Sequence, residues 1–451
     1  MNALMFRLAT TGWSTAGIIA VIIFLLVFLA ITLHWLHETI ASLLGAVTVF
    51  LVTYIGGRFN PDLRILTFED AMEFVDWNVI FLIMGMMIFM AIMSKTNVFR
   101  WLAFRLYRRA KGDVWIIVVM LVTLTGVLSA LLNDVTAILL IAPLSIQLAL
   151  AINFNPLGIV IAEVLASNIG GAATLIGDPP STIVGSHIMI SFGDYLANMA
   201  PVAILCMLAL LFVNRIQYRK EYTSEHREMS PALVEKLASE AKIKDYPTLY
   251  KSLIVGVLIF GLFFAAAFFD QMPPSVVALG GAAILIAWVR PDINSMLQEV
   301  DWTTLIFFIG LFIIVGGMDA SGAIVQMATY VLTLAGESLA RASMIMVWVS
   351  GVISGIVANI PYTLAALPIV DLMTVNLPGA ADNRIIYWAL ILGADLGGNA
   401  TYLGSAPNIV AVGLLAQAGY KLTFKRFMQD GVPVTVITLI IASIYLILRY
   451  L

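Results

Sequence analysis

The sequence predicts an all-α protein that crosses a membrane about 10–12 times, and three observations lead to this fold class. First, 61% of the 451 residues are hydrophobic and only 11% are charged, whereas soluble domains carry about a quarter charged residues. Second, at least ten charge-free windows, from residues 8–33 to residues 431–448, are long enough to cross about 30 Å of hydrocarbon as helix. Third, these apolar runs are continuous, whereas the strands of a membrane β-barrel alternate apolar and polar residues.

Charge and cysteine content argue against several classes of partner and cofactor. The net charge is −3 without a long run of like charge, so no nucleic acid partner is expected. Cys206 is the only cysteine, which excludes a disulfide within the chain and any multi-thiolate zinc, iron–sulfur or arsenic site. We therefore expect no cofactor and no bound metal. The first apolar run follows only Arg7 and lacks a small-residue cleavage site, so we interpret it as a retained helix in the cell (inner or plasma) membrane.

The two halves of the chain resemble each other. Three motifs recur in the same order: Val-Asp-Trp at 75–77 and 300–302, Gly-Val-Leu/Ile-Ser at 126–129 and 351–354, and the glycine-rich segments 170–177 and 397–404. Residues 95–113 carry six bases and one acid, which predicts a cytoplasmic position, whereas the matching residues 320–338 carry Glu337 and no base. Opposite charge bias on matching segments favours an inverted repeat, the plan of many secondary transporters.

This pattern predicts five regions. They are residues 1–74 as N-terminal scaffold helices, 75–214 as the first repeat, 215–251 as a cytoplasmic linker, 252–299 as linking scaffold helices, and 300–451 as the second, inverted repeat. The segments before each repeat, residues 58–76 and 290–301, are both acid-rich, so one of them must depart from the charge rule.

Polar residues interrupt one long apolar run in each half. In the first half, Asn133, Asp134 and Thr136 stand in such a run, and a carboxylate facing lipid at mid-depth costs about 2.5–3.5 kcal/mol. In the second half, Pro361 follows Asn359 and is expected to interrupt the helix after Asn359, because proline removes a helical N–H. Two interrupted helices at matching positions indicate a site near the middle of the membrane.

A second pair of interruptions lies in the glycine-rich segments. Adjacent glycines and downstream prolines do not sustain a regular helix, and glycine allows the backbone to approach a ligand closely. The expected structural breaks are Gly177, Pro179, Pro180, Pro361, Gly404 and Pro407. The candidate substrate-binding residues are Asn133, Asp134, Thr136, Gly170, Gly171, Thr174, Asn359, Thr363, Gly397, Gly398, Asn399 and Thr401. The embedded carboxyls Asp134, Asp395, Glu163 and Asp178 are the candidates for proton or ion coupling.

These motifs resemble the ion transporter superfamily, in the branch of ArsB-type arsenite permeases, NhaD-type sodium/proton antiporters and P proteins. The resemblance covers about residues 75–434, and its most specific parts are residues 170–180, 359–363 and 397–401. It implies about eleven helices, two re-entrant helical hairpins, two unwound helices, a homodimer and an elevator-like moving domain. It also implies hairpin tips at residues 133–135 and 358–360, with the substrate site between these tips and the unwound helices.

The resemblance favours export of a small inorganic solute. Sodium-coupled dicarboxylate relatives carry Ser-Asn-Thr at both tips, which this chain lacks, whereas the order Asn133-Asp134 is similar to arsenite permeases. The hypothesis is arsenite or antimonite efflux driven by proton entry through Asp134 and Asp395, with a soluble ATPase as a possible partner. The alternatives are NhaD-type sodium/proton antiport and an anion or dicarboxylate permease. An intramembrane protease is disfavoured, because Leu175 stands where the Gly-x-Gly-Asp motif requires its first glycine.

Overall fold

The structure, a computed structural model, describes residues 13–33, 35–222, 231–266, 272–336 and 338–451. Arg7 and the start of the first apolar run, part of the predicted linker, and Glu337 lie outside the described residues. Within the described ranges the secondary structure is helical without strands, which confirms the all-α fold class.

Twenty helices of seven or more residues run through the described ranges. They are α1 Thr15–Thr32, α2 Glu38–Leu51, α3 Phe68–Phe74, α4 Trp77–Ser94, α5 Val98–Arg109, α6 Val114–Leu131, α7 Asp134–Ala151, α8 Leu157–Gly171, α9 Pro179–His187, α10 Phe192–Gln217, α11 Pro231–Glu240, α12 Tyr246–Ala265, α13 Pro274–Val289, α14 Trp302–Ala320, α15 Ala323–Ala335, α16 Leu339–Ile356, α17 Asn359–Asn376, α18 Ile385–Gly397, α19 Ala406–Gln417 and α20 Phe424–Tyr450. Shorter helical turns lie at Val52–Gly56, Gly57–Phe59, Pro61–Leu63, Arg219–Tyr222, Ile293–Leu297 and Ala380–Asn383. Among the described residues, ten helical segments are long and apolar enough to cross a membrane, as predicted for a multi-pass membrane protein.

The repeat extends to the helix caps. Asp76 accepts hydrogen bonds from the first backbone N–H groups of α4, and Asp301 does the same for α14. The next helices, α5 and α15, both follow a residue in the left-handed conformation, Asn97 with φ 68° and Gly322 with φ 77°. The same local chemistry therefore starts the matching helices in both halves.

The first helices of the two repeats are antiparallel. Phe74, just before α4, packs against Gly316 near the end of α14. At the other end, Ser94 of α4 and Trp302 of α14 line one cavity. The N-terminus of one helix therefore lies beside the C-terminus of the other, which confirms the inverted repeat.

The pairs α6–α7 and α16–α17 are re-entrant hairpins. Trp115 near the start of α6 and Phe154 just after α7 both pack against Tyr222, with ring centroids 5.3 and 5.9 Å away. In the second repeat, Leu339 at the start of α16 lies beside Gly379, just after α17. Each hairpin thus enters and leaves on one side of the protein, as the resemblance implied.

Two further crossings are broken in the middle. Turns at residues 172–178 separate α8 from α9, and turns at residues 398–405 separate α18 from α19. Pro179 and Pro180 begin α9, and Pro407 lies in the first turn of α19. Proline is tolerated there because the first N–H groups of a helix have no partner within it.

The predicted break after Asn359 is wrong by two residues. Helix α17 begins at Asn359, and its cap is Ala358, so the interruption precedes Asn359. Pro361 is the third residue of this helix. Its missing N–H would have no partner within the helix, so the proline marks a helix start and not a break inside one.

Contacts also decide which acid-rich segment departs from the charge rule. The Asn97 side chain donates to the backbone carbonyls of Glu240 and Lys242, and Lys251 Nζ donates to the carbonyl of Trp288 at 2.9 Å. Residues 95–113, the linker and residues 290–301 therefore share one side. The acids of residues 290–301 include Asp292 and Asp301, which cap helices. The need for helix caps therefore explains why acidic residues lie on the same side as the basic segment.

Cysteine labelling tests this topology, since the native Cys206 is fully buried. In intact cells, a membrane-impermeant maleimide should label Asp62→Cys and Asp382→Cys. It should label Lys242→Cys and Glu299→Cys only after the membrane is opened, because these residues lie on the linker side. Labelling of Glu299→Cys but not of Lys242→Cys in intact cells would contradict the inverted arrangement.

Candidate substrate and ion site

Each hairpin tip is tied by backbone to the broken crossing of its own repeat. The N–H of Asp134 donates to the carbonyl of Gly177 at 3.0 Å, and the N–H of Asn359 donates to the carbonyl of Gly404 at 3.0 Å. These bonds satisfy polar groups at the two breaks, where an unpaired backbone group in a bilayer costs several kcal/mol. The tips and the breaks are therefore held together in both repeats.

Threonine hydroxyl groups also form hydrogen bonds at the hairpins and the broken crossings. Thr174 donates its hydroxyl to the carbonyl of Ala130, and Thr401 donates to the carbonyl of Gly355 at 2.7 Å. Thr363 donates to the carbonyl of Asn359 within its own helix. These three threonines are among the candidate substrate-binding residues, and their hydroxyls donate to backbone carbonyls of the hairpins.

The paired glycines pack helix against helix. A Cβ on Gly170 would lie 2.1 Å from the carbonyl oxygen of Gly126, and one on Gly397 would lie 2.5 Å from that of Gly351. Both glycines therefore allow the broken crossing to touch the first helix of the hairpin. Among the described residues that line the cavity beside Ser94 and Trp302, none of the predicted ligands Gly170, Gly171, Gly397 and Gly398 is found.

A cluster of amides joins the two broken crossings to each other. Asn168 Nδ2 donates to Oδ1 of Asn399 at 2.8 Å and to Oδ1 of Asn408 at 3.1 Å. Ser405 donates to Oδ1 of Asn168, and Asn408 donates to the carbonyls of Gly398 and Thr401. Of the side chains in the cluster, only Asn399 was among the predicted residues, although Asn168, Ser405 and Asn408 lie in the same two glycine-rich motifs.

Three of the four predicted coupling carboxyls lie close together near the hairpin tips and the broken crossings. Asp134, Asp178 and Asp395 are buried, and Asp178 interacts electrostatically with both of the others. Ser181 donates to Oδ2 of Asp395 at 2.9 Å, while Oδ1 of Asp395 has no hydrogen-bond partner among the described residues. Asn359 Nδ2 lies 3.5 Å from both carboxylate oxygens of Asp178.

The fourth carboxyl lies apart from the cavity. Glu163 of α8 accepts a hydrogen bond from Ser145 of α7 and is fully buried. It is not part of the cavity lining. The sequence placed it with the coupling residues because it is an acid in an apolar helix, a pattern that does not reveal which way the side chain points.

The carboxyl cluster has no basic partner in the described part of the chain. The two ion pairs found there, His187–Asp371 and Arg426–Asp430, lie elsewhere. A buried charge without a partner is costly, so a buried carboxylate without a base must take up a proton or a cation. The cluster is therefore suited to bind protons or small cations.

A cavity of about 520 Å³ leads to this cluster from the linker side. Its inner part is formed by Asn133, Asp134, Thr136, Asp178 and Asn359, between the two hairpin tips. Towards Ser94 and the start of α14 it reaches three more acids, Glu38, Glu299 and Asp301. The described lining contains five acids and no base, so the cavity attracts cations along its whole length.

Substitution of Asn168 tests whether the amide cluster holds the two broken crossings together. Asn168→Ala should lower the melting temperature of the purified protein, because it leaves buried polar groups of Asn399 and Asn408 unpaired, at about 1–3 kcal/mol per group. Asn376→Ala is the control, since Asn376 is exposed and bonds only within its own helix. Equal melting temperatures for the two variants would contradict a structural role for Asn168.

Comparison with known proteins places these features in a family. A family model described as "Citrate transporter" (CitMHS) matches residues 19–393. An uncharacterized transporter of Mycobacterium tuberculosis is 36% identical over 434 residues, covering 96% of this chain and 99% of the relative. The human P protein is 30% identical over 514 residues, covering 96% of this chain and 59% of the P protein.

Two solved structures share the fold. The YdaH transporter of Alcanivorax borkumensis superposes with a TM-score of 0.59 at 13% identity, covering 91% of this chain and 98% of that chain. MtrF of Neisseria gonorrhoeae, described as one of a class of antimetabolite efflux pumps, superposes with a TM-score of 0.62 at 12% identity, covering 99% of this chain and 98% of that chain. At these identities the likeness shows the fold alone.

Proposed function

Because this chain belongs to the CitMHS citrate transporter family, we propose that it transports a small cation in exchange for protons through the cavity between its hairpin tips. Membership of the family makes the chain a transporter and not an enzyme. The observation that carries the proposal is the buried cluster of Asp134, Asp178 and Asp395, which has no basic partner among the described residues. Asp134 and Asp178 of this cluster line the inner end of the acid-lined cavity.

Exchange follows from the charge of this cluster. Because the low-dielectric surroundings disfavour unpaired negative charge, the cluster is stable when protonated or when a cation is bound. Oxygen ligands from carboxylates and amides suit a hard cation such as Na⁺. Protons and the cation compete for the same carboxylate oxygens. Binding of the cation therefore releases protons, and binding of protons releases the cation.

The hairpins supply the moving parts of the proposed cycle. Each tip is bonded to the broken crossing of its repeat, and the amide cluster joins the two crossings. Hairpins and broken crossings therefore move as one body, carrying the carboxyls past α4 and α14. This motion is the elevator-like step that the resemblance implied.

Arsenite efflux, the leading hypothesis from the sequence, remains a second candidate. Asn133, Thr136 and Asn359 line the cavity, and such uncharged polar groups can hydrogen-bond a neutral polyhydroxyl such as arsenious acid. The acid lining adds nothing to the binding of a neutral solute. Small-cation exchange is therefore the better match to the site.

The family description also raises citrate as a substrate. A free tricarboxylate would meet five acids and no base in the described lining, and like charges repel strongly where water is scarce. Citrate would fit this cavity only with its charge neutralised, for example as a complex with a divalent cation.

Transport assays in proteoliposomes separate these candidates. With a pH-sensitive dye inside, external Na⁺ or Li⁺ should drive proton release, whereas arsenite and free citrate should not. Asp134→Asn, Asp178→Asn and Asp395→Asn should each reduce the signal to that of protein-free vesicles, because an amide binds neither a proton nor a cation as a carboxylate does. Asp382→Asn, an exposed acid on the opposite side, should transport like the unchanged protein.

Other outcomes would overturn the proposal. Proton flux that depends on arsenite alone would favour the second candidate. Flux that requires citrate together with Mg²⁺ would favour transport of a metal complex. Undiminished cation exchange in all three aspartate variants would show that the cluster is not the coupling site.

A further inference from the structure

A basic groove lies on the linker side of the protein, away from the transport cavity. It measures about 510 Å³ and runs between α5 of the first repeat and α11 of the linker. Its lining, called here the α5–α11 groove, consists of Trp101, Phe104, Arg105, Arg108, Arg109, Ala238, Ala241 and Lys242. The groove therefore combines four bases with two aromatic rings.

Local sequence explains why α5 lies flat against the protein with its bases outward. Phe99, Ala103, Phe104 and Tyr107 are buried on one face of the helix. Arg105, Arg108 and Arg109 are exposed on the other. This amphipathic pattern is typical of a helix that lies at the membrane surface.

The second wall of the groove is held in place by hydrogen bonds. Asn97 Nδ2, at the start of α5, donates to the carbonyl of Glu240 at 2.7 Å and to that of Lys242 at 2.9 Å. The N–H of Lys244 donates to the carbonyl of Thr96 at 3.1 Å. The end of α11 is thereby attached to the α4–α5 turn, so the groove is built by folding.

The bases of the groove lack acidic partners in the described part of the chain. None of the four forms an ion pair there, and the lining contains no acid. The guanidinium of Arg105 lies 4.9 Å from the ring centre of Trp101. Helix α15, the counterpart of α5 in the second repeat, contains no charged residue, so the groove is a feature of one copy and one face.

We propose that the α5–α11 groove binds the headgroup of an anionic phospholipid from the cytoplasmic leaflet. Charge complementarity selects the occupant, because Arg and Lys side chains bind phosphate oxygens by charge-assisted hydrogen bonds. Trp101 and Phe104 supply an apolar wall for the glycerol backbone and the first part of the acyl chains. Zwitterionic lipids lack the net negative charge that four bases attract.

A lipid bound in the groove would contact the helix that connects α4 to the first hairpin. Helix α5 connects α4, which packs against α13, to the hairpin α6–α7, which carries Asp134 at its tip. A lipid that holds α5 against the membrane surface therefore restrains the connection between these two parts.

Native mass spectrometry of the full-length protein with added lipids tests the proposal. The unchanged protein should retain phosphatidylglycerol and cardiolipin in preference to phosphatidylcholine. The triple variant R105Q/R108Q/R109Q should lose this preference. The control R100Q/K111Q/K244Q removes the same charge from exposed positions on the same side, outside the groove, and should keep it.

A second measurement keeps the test valid if the triple variant folds poorly. In the unchanged protein, brominated phosphatidylglycerol should quench more tryptophan fluorescence than brominated phosphatidylcholine. In the single variant Trp101→Phe, this difference between the two lipids should disappear. Equal loss of lipid in the groove and control variants would show general attraction to basic residues and would overturn the proposal. Displacement of the lipid by the same concentration of soluble glycerol phosphate would also overturn it, because the groove would then bind phosphate without a membrane.

Discussion

The fold depends on one constraint: backbone that leaves the helical conformation inside a membrane must find its hydrogen-bond partners within the protein. Two hairpin tips and two broken crossings create four such places. The chain satisfies them by bonding each tip to the break of the same repeat, through Asp134 to Gly177 and Asn359 to Gly404. Because each tip and its break satisfy each other's backbone groups, the polar centre needs no ion pair among the residues that the structure describes.

The two repeats contribute different chemistry at equivalent positions. Helix α7 begins with Asp134 where α17 begins with Asn359, and Asp178 precedes α9 where Ser405 precedes α19. Asp178 faces Asn359, so an acid of one copy meets an amide of the other. A symmetric pair of acids would double the buried negative charge. Divergence of the copies therefore limits the number of protons or cations that the site must hold.

Much of this architecture was predictable from local sequence. Apolar runs, Gly-Gly pairs and prolines determine where helices cross, break and start, because these effects act within a few residues. The repeated motifs and the bases of residues 95–113 predicted the inverted arrangement, and the structure confirms it. The break at Asn359 was misplaced by two residues, because proline in the first turn of a helix resembles proline inside one.

By itself, the sequence determined the membrane class, the duplicated plan and the segments that form the centre. Only the tertiary structure decided which polar side chains face the cavity and which face each other. Asp134, Asp178 and Asn359 face the cavity, whereas Thr174, Thr401 and Asn399 bond neighbouring elements. Tertiary contacts also placed residues 290–301 on the basic side and α11 beside α5. The reason is physical: hydrophobicity and backbone preference belong to a residue and its neighbours in sequence, whereas the partner of a buried polar group depends on how distant segments pack.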